Sequence, residues 1–126
     1  CDVLLNNKRY KSVIYLGGLA IEVALKRAIC RSFNLNSGFP ETQNELNSYA
    51  NLITVNINNI KQIKTHILQN LLTYSGYSPK IVTNCPQEWN LADKTWSIDI
   101  RYKAKIYRRN TAANFLSAAK LIINNL

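Results

Sequence analysis

The stretch VIYLGGLAIEVALKRAICR, residues 13–31, decides the fold. Ile14, Ile21, Leu25 and Ile29 recur at the spacing of one helical face, so residues 9–31 read as a long α-helix. Gly17 and Gly18 sit inside that helix, where each costs about 1 kcal/mol relative to alanine. They begin a second stripe, Gly17, Ala20, Ala24 and Ala28, at steps of three and four. Small residues at that spacing let another helix approach closely, and close packing offsets the glycine cost. Glu22 and Lys26 form an i,i+4 pair of modest value on the remaining face.

Working outward, the same periodicity continues. The segment SFNLNSGFPE (32–41) is a turn-rich connection whose Pro40 suits a first helical position. Leu46, Tyr49, Ile53, Ile57, Ile60, Ile63, Ile67 and Leu71 keep one helical stripe. The asparagine-rich, β-branched TVNINN (54–59) weakens its middle, so it reads as one long helix or two broken between 54 and 66. YSGYSPK (74–80) reads as a loop. A further helix is predicted over about 87–108, burying Trp89, Ala92, Trp96, Ile100 and Tyr107. The last begins near Asn110 or Thr111 and buries Ala112, Phe115, Leu116, Ala119, Ile122, Ile123 and Leu126. No strand alternation competes with these patterns. The expectation is an all-α fold, an up-and-down bundle of four to five helices with residues 1–126 as a single domain.

Charge narrows the partners. The 126 residues carry a formal charge of +9 and a pI near 9.7, which favours RNA, DNA or acidic proteins. It is concentrated in two blocks. Residues 1–31 hold Lys8, Arg9, Lys11, Lys26, Arg27 and Arg31 against Asp2 and Glu22. Residues 101–126 hold Arg101, Lys103, Lys105, Arg108, Arg109 and Lys120 with no acid. The two blocks form one basic surface if their helices are neighbours. Cys1, Cys30 and Cys85 are odd in number and widely spaced, which argues against a disulfide framework or zinc knuckle and for a cytoplasmic, reduced protein. Cys1 where methionine would stand suggests that the natural N-terminus is missing. The longest apolar run is interrupted by Glu22 and is too short to span a bilayer, so no membrane role is expected.

Most catalytic signatures are absent. No glycine-rich phosphate loop is present, and one histidine with seven scattered acids offers no metal set, so no cofactor or metal is expected. His66, in KQIKTHILQNLL, is the proton-transfer group suited to neutral pH, set off the apolar stripe of its helix. A basic stripe of Lys94, Arg101, Lys105 and Arg108, with Tyr102 and Trp96 beside it, has the mixture of cations and aromatics found on nucleic-acid surfaces.

These residues taken in order resemble a family. LLNNKRYKSVIYLGGLAIEVALKRAI is similar to the front of the HEPN domain (higher eukaryotes and prokaryotes nucleotide-binding), with its Ala-x-Glu-x-x-Leu-Lys pattern at Ala20, Glu22, Leu25 and Lys26. THILQNLL resembles the family's histidine region, with His66 at the recurrent histidine. Trp96, Arg101 and Tyr102 resemble its aromatic–Arg-Tyr segment, and ANFLSAAKLIINNL its closing helix. The resemblance implies a helical bundle, often a homodimer, in bacterial defence, toxin–antitoxin pairs or RNA processing. Active members are metal-independent RNases with an Arg-x(4–6)-His motif. This chain departs from that motif: the cation at the matching spacing is Lys61, which lacks the planar fork that clamps phosphate. The expectation is a domain that binds RNA, a nucleotide or a partner protein without efficient cleavage. One alternative is an active RNase toxin using His66, with phosphate held by Arg101 or Arg108. The other is a structural module meeting an acidic antitoxin or nucleotidyltransferase.

Overall fold

The computed structural model describes residues 3, 6, 8–33, 35, 38–49 and 59–126, the side chain of Arg101 excepted. Among them it is an all-α bundle. The helices are α1 (Tyr10–Ser32), α2 (Gln43–Ser48), α3 (Leu68–Ser75), α4 (Ser78–Asn84), α5 (Pro86–Thr95) and α6 (Arg109–Asn124), with 3-10 turns at Ile60–Gln62 and Ile100–Tyr102. No helix among the described residues is long and apolar enough to cross a membrane.

α1 is the central element, and it packs chiefly on α6 and α3 while α5 packs on α6. Its stripe of Ile14, Ile21, Leu25 and Ile29 is fully buried, joined by Leu71 and Leu72 of α3 and by Phe115 and Ile122 of α6. The two glycines serve two different neighbours. At Gly17 an added Cβ would meet Phe115 Cε1 at 3.0 Å and Ala119 Cβ at 3.8 Å, so this is where α6 closes on α1. At Gly18 the same atom would fall inside the indole of Trp96, whose Nε1 donates to the Tyr15 carbonyl at 3.1 Å. The small-residue stripe is therefore not one groove: Gly17 and Ala28 are buried, whereas Ala20 is exposed and Ala24 half-buried.

Several boundaries differ from the sequence reading. Pro40 does not open a helix; α2 begins at Gln43, where the Thr42 hydroxyl accepts from Glu45 N at 3.1 Å and Glu45 Oε2 accepts from Glu41 N at 2.8 Å. Of the two readings of 46–72, the broken one holds: the α2 helix ends at Ser48, and residues 59–67 carry a 3-10 turn at Ile60–Gln62 before α3 begins at Leu68. Residues 50–58, which include Ile53 and Ile57, lie outside the described ones. The expected loop 74–80 is mostly helical. Gly76, at φ +80°, caps α3 in the left-handed region, and Pro79 sits in the first turn of α4. The helix predicted over 87–108 ends at Thr95. Beyond it Ser97 donates to Asp99 Oδ1 at 2.6 Å, and this local bond competes with helical pairing. Ser97 first, then Lys103, holds the exposed Asp99 carboxyl below its usual range. α6 begins at Arg109 with no side-chain cap, rather than at an Asn110 or Thr111 cap.

Candidate functional site: a buried carboxylate beneath His66, and a basic cleft

His66 lies not on a helix but in the connection between the first 3-10 turn and α3. Its Nδ1 faces Glu22 Oε1 at 2.5 Å, and Lys26 Nζ stands 3.5 Å from the same oxygen. Glu22 is 4% exposed, in the middle of α1, whereas the His66 side chain is 55% exposed. The i,i+4 pairing with Lys26 expected from the sequence is present, but the Glu22 carboxylate is buried beneath it. An ionised carboxylate only accepts, so Nδ1 is the donor and Nε2 of the neutral ring is left with its lone pair. A carboxylate holding the far nitrogen is the arrangement that fixes a histidine's tautomer for base chemistry. Lys26 also lies over the Phe39 ring, 5.2 Å from its centroid. Spacing alone could not pair residues 22 and 66; the signal was an acid inside an otherwise apolar helical run.

The second feature is a basic cleft. Lys8, Arg9, Lys11, Lys105 and Tyr107 line a depression of about 460 Å³. Lys94, Lys105, Arg108 and Thr111 line an adjoining one of about 430 Å³, and the two share Lys105, Ile106 and Tyr107. Among the described residues neither lining contains an acid. Lys11 Nζ donates to the Lys103 carbonyl at 2.5 Å, tying the start of α1 to the segment before α6. The two acid-poor blocks thus adjoin at this cleft. Ile106 is 90% exposed on its rim, and Lys105 Nζ lies 5.3 Å from the Tyr107 ring centroid.

The residues singled out by sequence separate accordingly. Lys94, Lys105 and Arg108 come together, but not as a helical stripe: the irregular segment after α5 returns Lys105 and Arg108 to the side of Lys94. Tyr102 is 79% exposed in the second 3-10 turn, which also holds Arg101. Lys61 lies in the first 3-10 turn, and the cation beside the Glu22–His66 pair is Lys26. Residues 61 and 66 do not share a helix. Lys8, Arg9 and Lys11 were legible only as part of a charged block.

No group of three metal-ligating side chains occurs among the described residues. The chain matches no family model, no curated protein and no solved structure.

The two described thiols, Cys30 and Cys85, offer no second chemistry. Burial pushes the Cys30 thiol up, and burial followed by the charge of Glu88 does the same at Cys85. The thiolate is the reactive form, so both are poor nucleophiles at neutral pH. Iodoacetamide should leave fully buried Cys85 unmodified in the folded protein and alkylate it in guanidinium, as read by peptide mass. Rapid labelling of Cys85 in the folded protein would contradict its burial.

Proposed function

We propose that the chain is a HEPN-like helical domain that binds single-stranded RNA or nucleotide phosphates, in the bacterial defence or toxin–antitoxin setting that the resemblance implies. The convergence of the two basic blocks on one cleft, with no acid among its described lining residues, carries this reading. Lysines and arginines there supply the phosphate contacts, and Tyr102, exposed in the second 3-10 turn, adds an aromatic of the kind on which bases stack. Titration of a labelled single-stranded RNA tests it by anisotropy. Lys105→Ala/Arg108→Ala should bind at least about tenfold more weakly than wild type, since each lost cation removes a phosphate contact. Equal affinity would overturn the assignment.

The Glu22–His66 pair favours a second reading, a metal-independent RNase. His66 Nε2 would take the proton of a 2′-hydroxyl, a step for which a positioned base supplies about 10²–10⁴-fold. Stabilising the charge on phosphate needs a cation as well, and the one at this carboxylate is a lysine already engaged with Glu22 and Phe39. RNA incubated in EDTA at saturating protein should therefore stay intact. Cleavage that is lost in His66→Ala and weakened in Glu22→Gln would replace the binding reading with the RNase. Cleavage that persists in His66→Ala would mark a contaminant.

A further inference from the structure

α1 has a face that neither the core nor the Glu22–His66 pair uses. It carries Leu16, Ala20, Val23 and Arg27, spaced by three and four residues, and all four are exposed. Val23 is 64% exposed, and with Leu16 at 42% it makes this part of the face a contiguous apolar patch rather than a lone exposed side chain. With Ile123 of α6 these residues line an open groove of about 680 Å³. The short side chains of Ala20 and Ala24 leave room between the flanking aliphatics.

One end of the groove is charged. Arg31 is occupied: its guanidinium donates to the Leu126 carbonyl at 2.5 Å and lies 6.0 Å from the Tyr77 ring centroid. Arg27, one turn earlier, is exposed, with no ion pair recorded among the described residues. Among the described residues no acid lines the groove.

We propose that this groove docks an amphipathic helix of a partner protein, one whose apolar stripe ends in acidic residues at Arg27. A trough between two helices suits a third helix that lays its i, i+3, i+4 and i+7 side chains into it, and the alanines permit close approach. Charge selects the partner. A second copy of the chain brings another +9 and no acid from this groove to meet Arg27, so the homodimer expected from the resemblance needs a different face. RNA is disfavoured because aliphatic side chains offer phosphate nothing along most of the groove.

Two designed, fluorescently labelled helical peptides test the proposal. Both carry the same leucine stripe; one ends it in glutamates, the other in lysines. The glutamate peptide should bind the wild-type chain about tenfold or more tightly than the lysine peptide, since like charges across an interface are penalised. Arg27→Glu should reverse that order, and Val23→Asp should abolish binding of both. Both positions are exposed, so each variant should keep the wild-type circular dichroism. Equal affinity for the two peptides, or an order unchanged by Arg27→Glu, would overturn the proposal. So would a wild-type species of twice 14.4 kDa in sedimentation that Val23→Asp splits, which would give the groove to a second copy.

Discussion

Alanine at Gly18 should lower the stability of the chain by about 1–3 kcal/mol, the usual cost of overpacking a filled core, although alanine is the better helix former. The new methyl would occupy the position of the Trp96 indole. That ring cannot retreat cheaply, being 5% exposed and fixed through Nε1 to the Tyr15 carbonyl. Trp96→Ala alone should cost about 3–5 kcal/mol, as large core truncations do. The diagnostic result is the double variant. With the indole gone, Gly18→Ala should change sign and stabilise by up to about 1 kcal/mol, the helix-propensity difference. Urea unfolding of the four proteins gives the cycle. A Gly18→Ala effect of the same sign in both backgrounds would show that the indole does not rest there. Gly17→Ala should cost less than Gly18→Ala, because Phe115 need yield only a few tenths of an ångström.

RNA affinity should fall steeply with salt. Six cations line the cleft among the described residues: Lys8, Arg9, Lys11, Lys94, Lys105 and Arg108. Each phosphate contact on a single strand contributes about −0.7 to the slope of log affinity against log salt, so full engagement gives about −4. Raising salt from about 50 to about 200 mM should then weaken binding by roughly two and a half orders of magnitude. Replacing Arg9, Lys94, Lys105 and Arg108 by alanine spares Lys11, which braces the Lys103 carbonyl. The slope should drop to about −1.4, and the same change in salt should weaken binding by only about sevenfold. A variant that kept the wild-type slope would move the RNA contact to another surface.

The sequence was read best where burial and helix coincide. The α1 stripe and the α6 positions Phe115, Leu116, Ala119 and Ile122 are buried as expected, because a regular helix turns spacing directly into a face. After Thr95 the reading fails in an informative way. Trp96, Ile100 and Tyr107 are buried as expected, yet they reach the core from an irregular chain with one 3-10 turn. Hydrophobic spacing reported what is inside, not the backbone that delivers it. The short helix α4 was missed because Gly76 and Pro79 read as loop residues, when one caps a helix and the other starts the next. At the candidate site His66, Lys94, Lys105 and Arg108 were legible from side-chain chemistry. The role of Glu22 was not, because it depends on a contact between residues 44 apart.

One helix thus meets four demands on different sectors of its circumference and length. The start of α1 forms a wall of the basic cleft, Gly18 seats an indole, Glu22 holds the histidine, and Leu16, Ala20, Val23 and Arg27 face outward. In evolutionary terms this arrangement separates what can vary from what cannot. Substitutions on the outward sector leave the core and the histidine's carboxylate untouched. If the groove docks a helix as proposed, a lineage carrying this fold exchanges partners through one helical face, with the core and the Glu22–His66 contact held on the other side of the same helix.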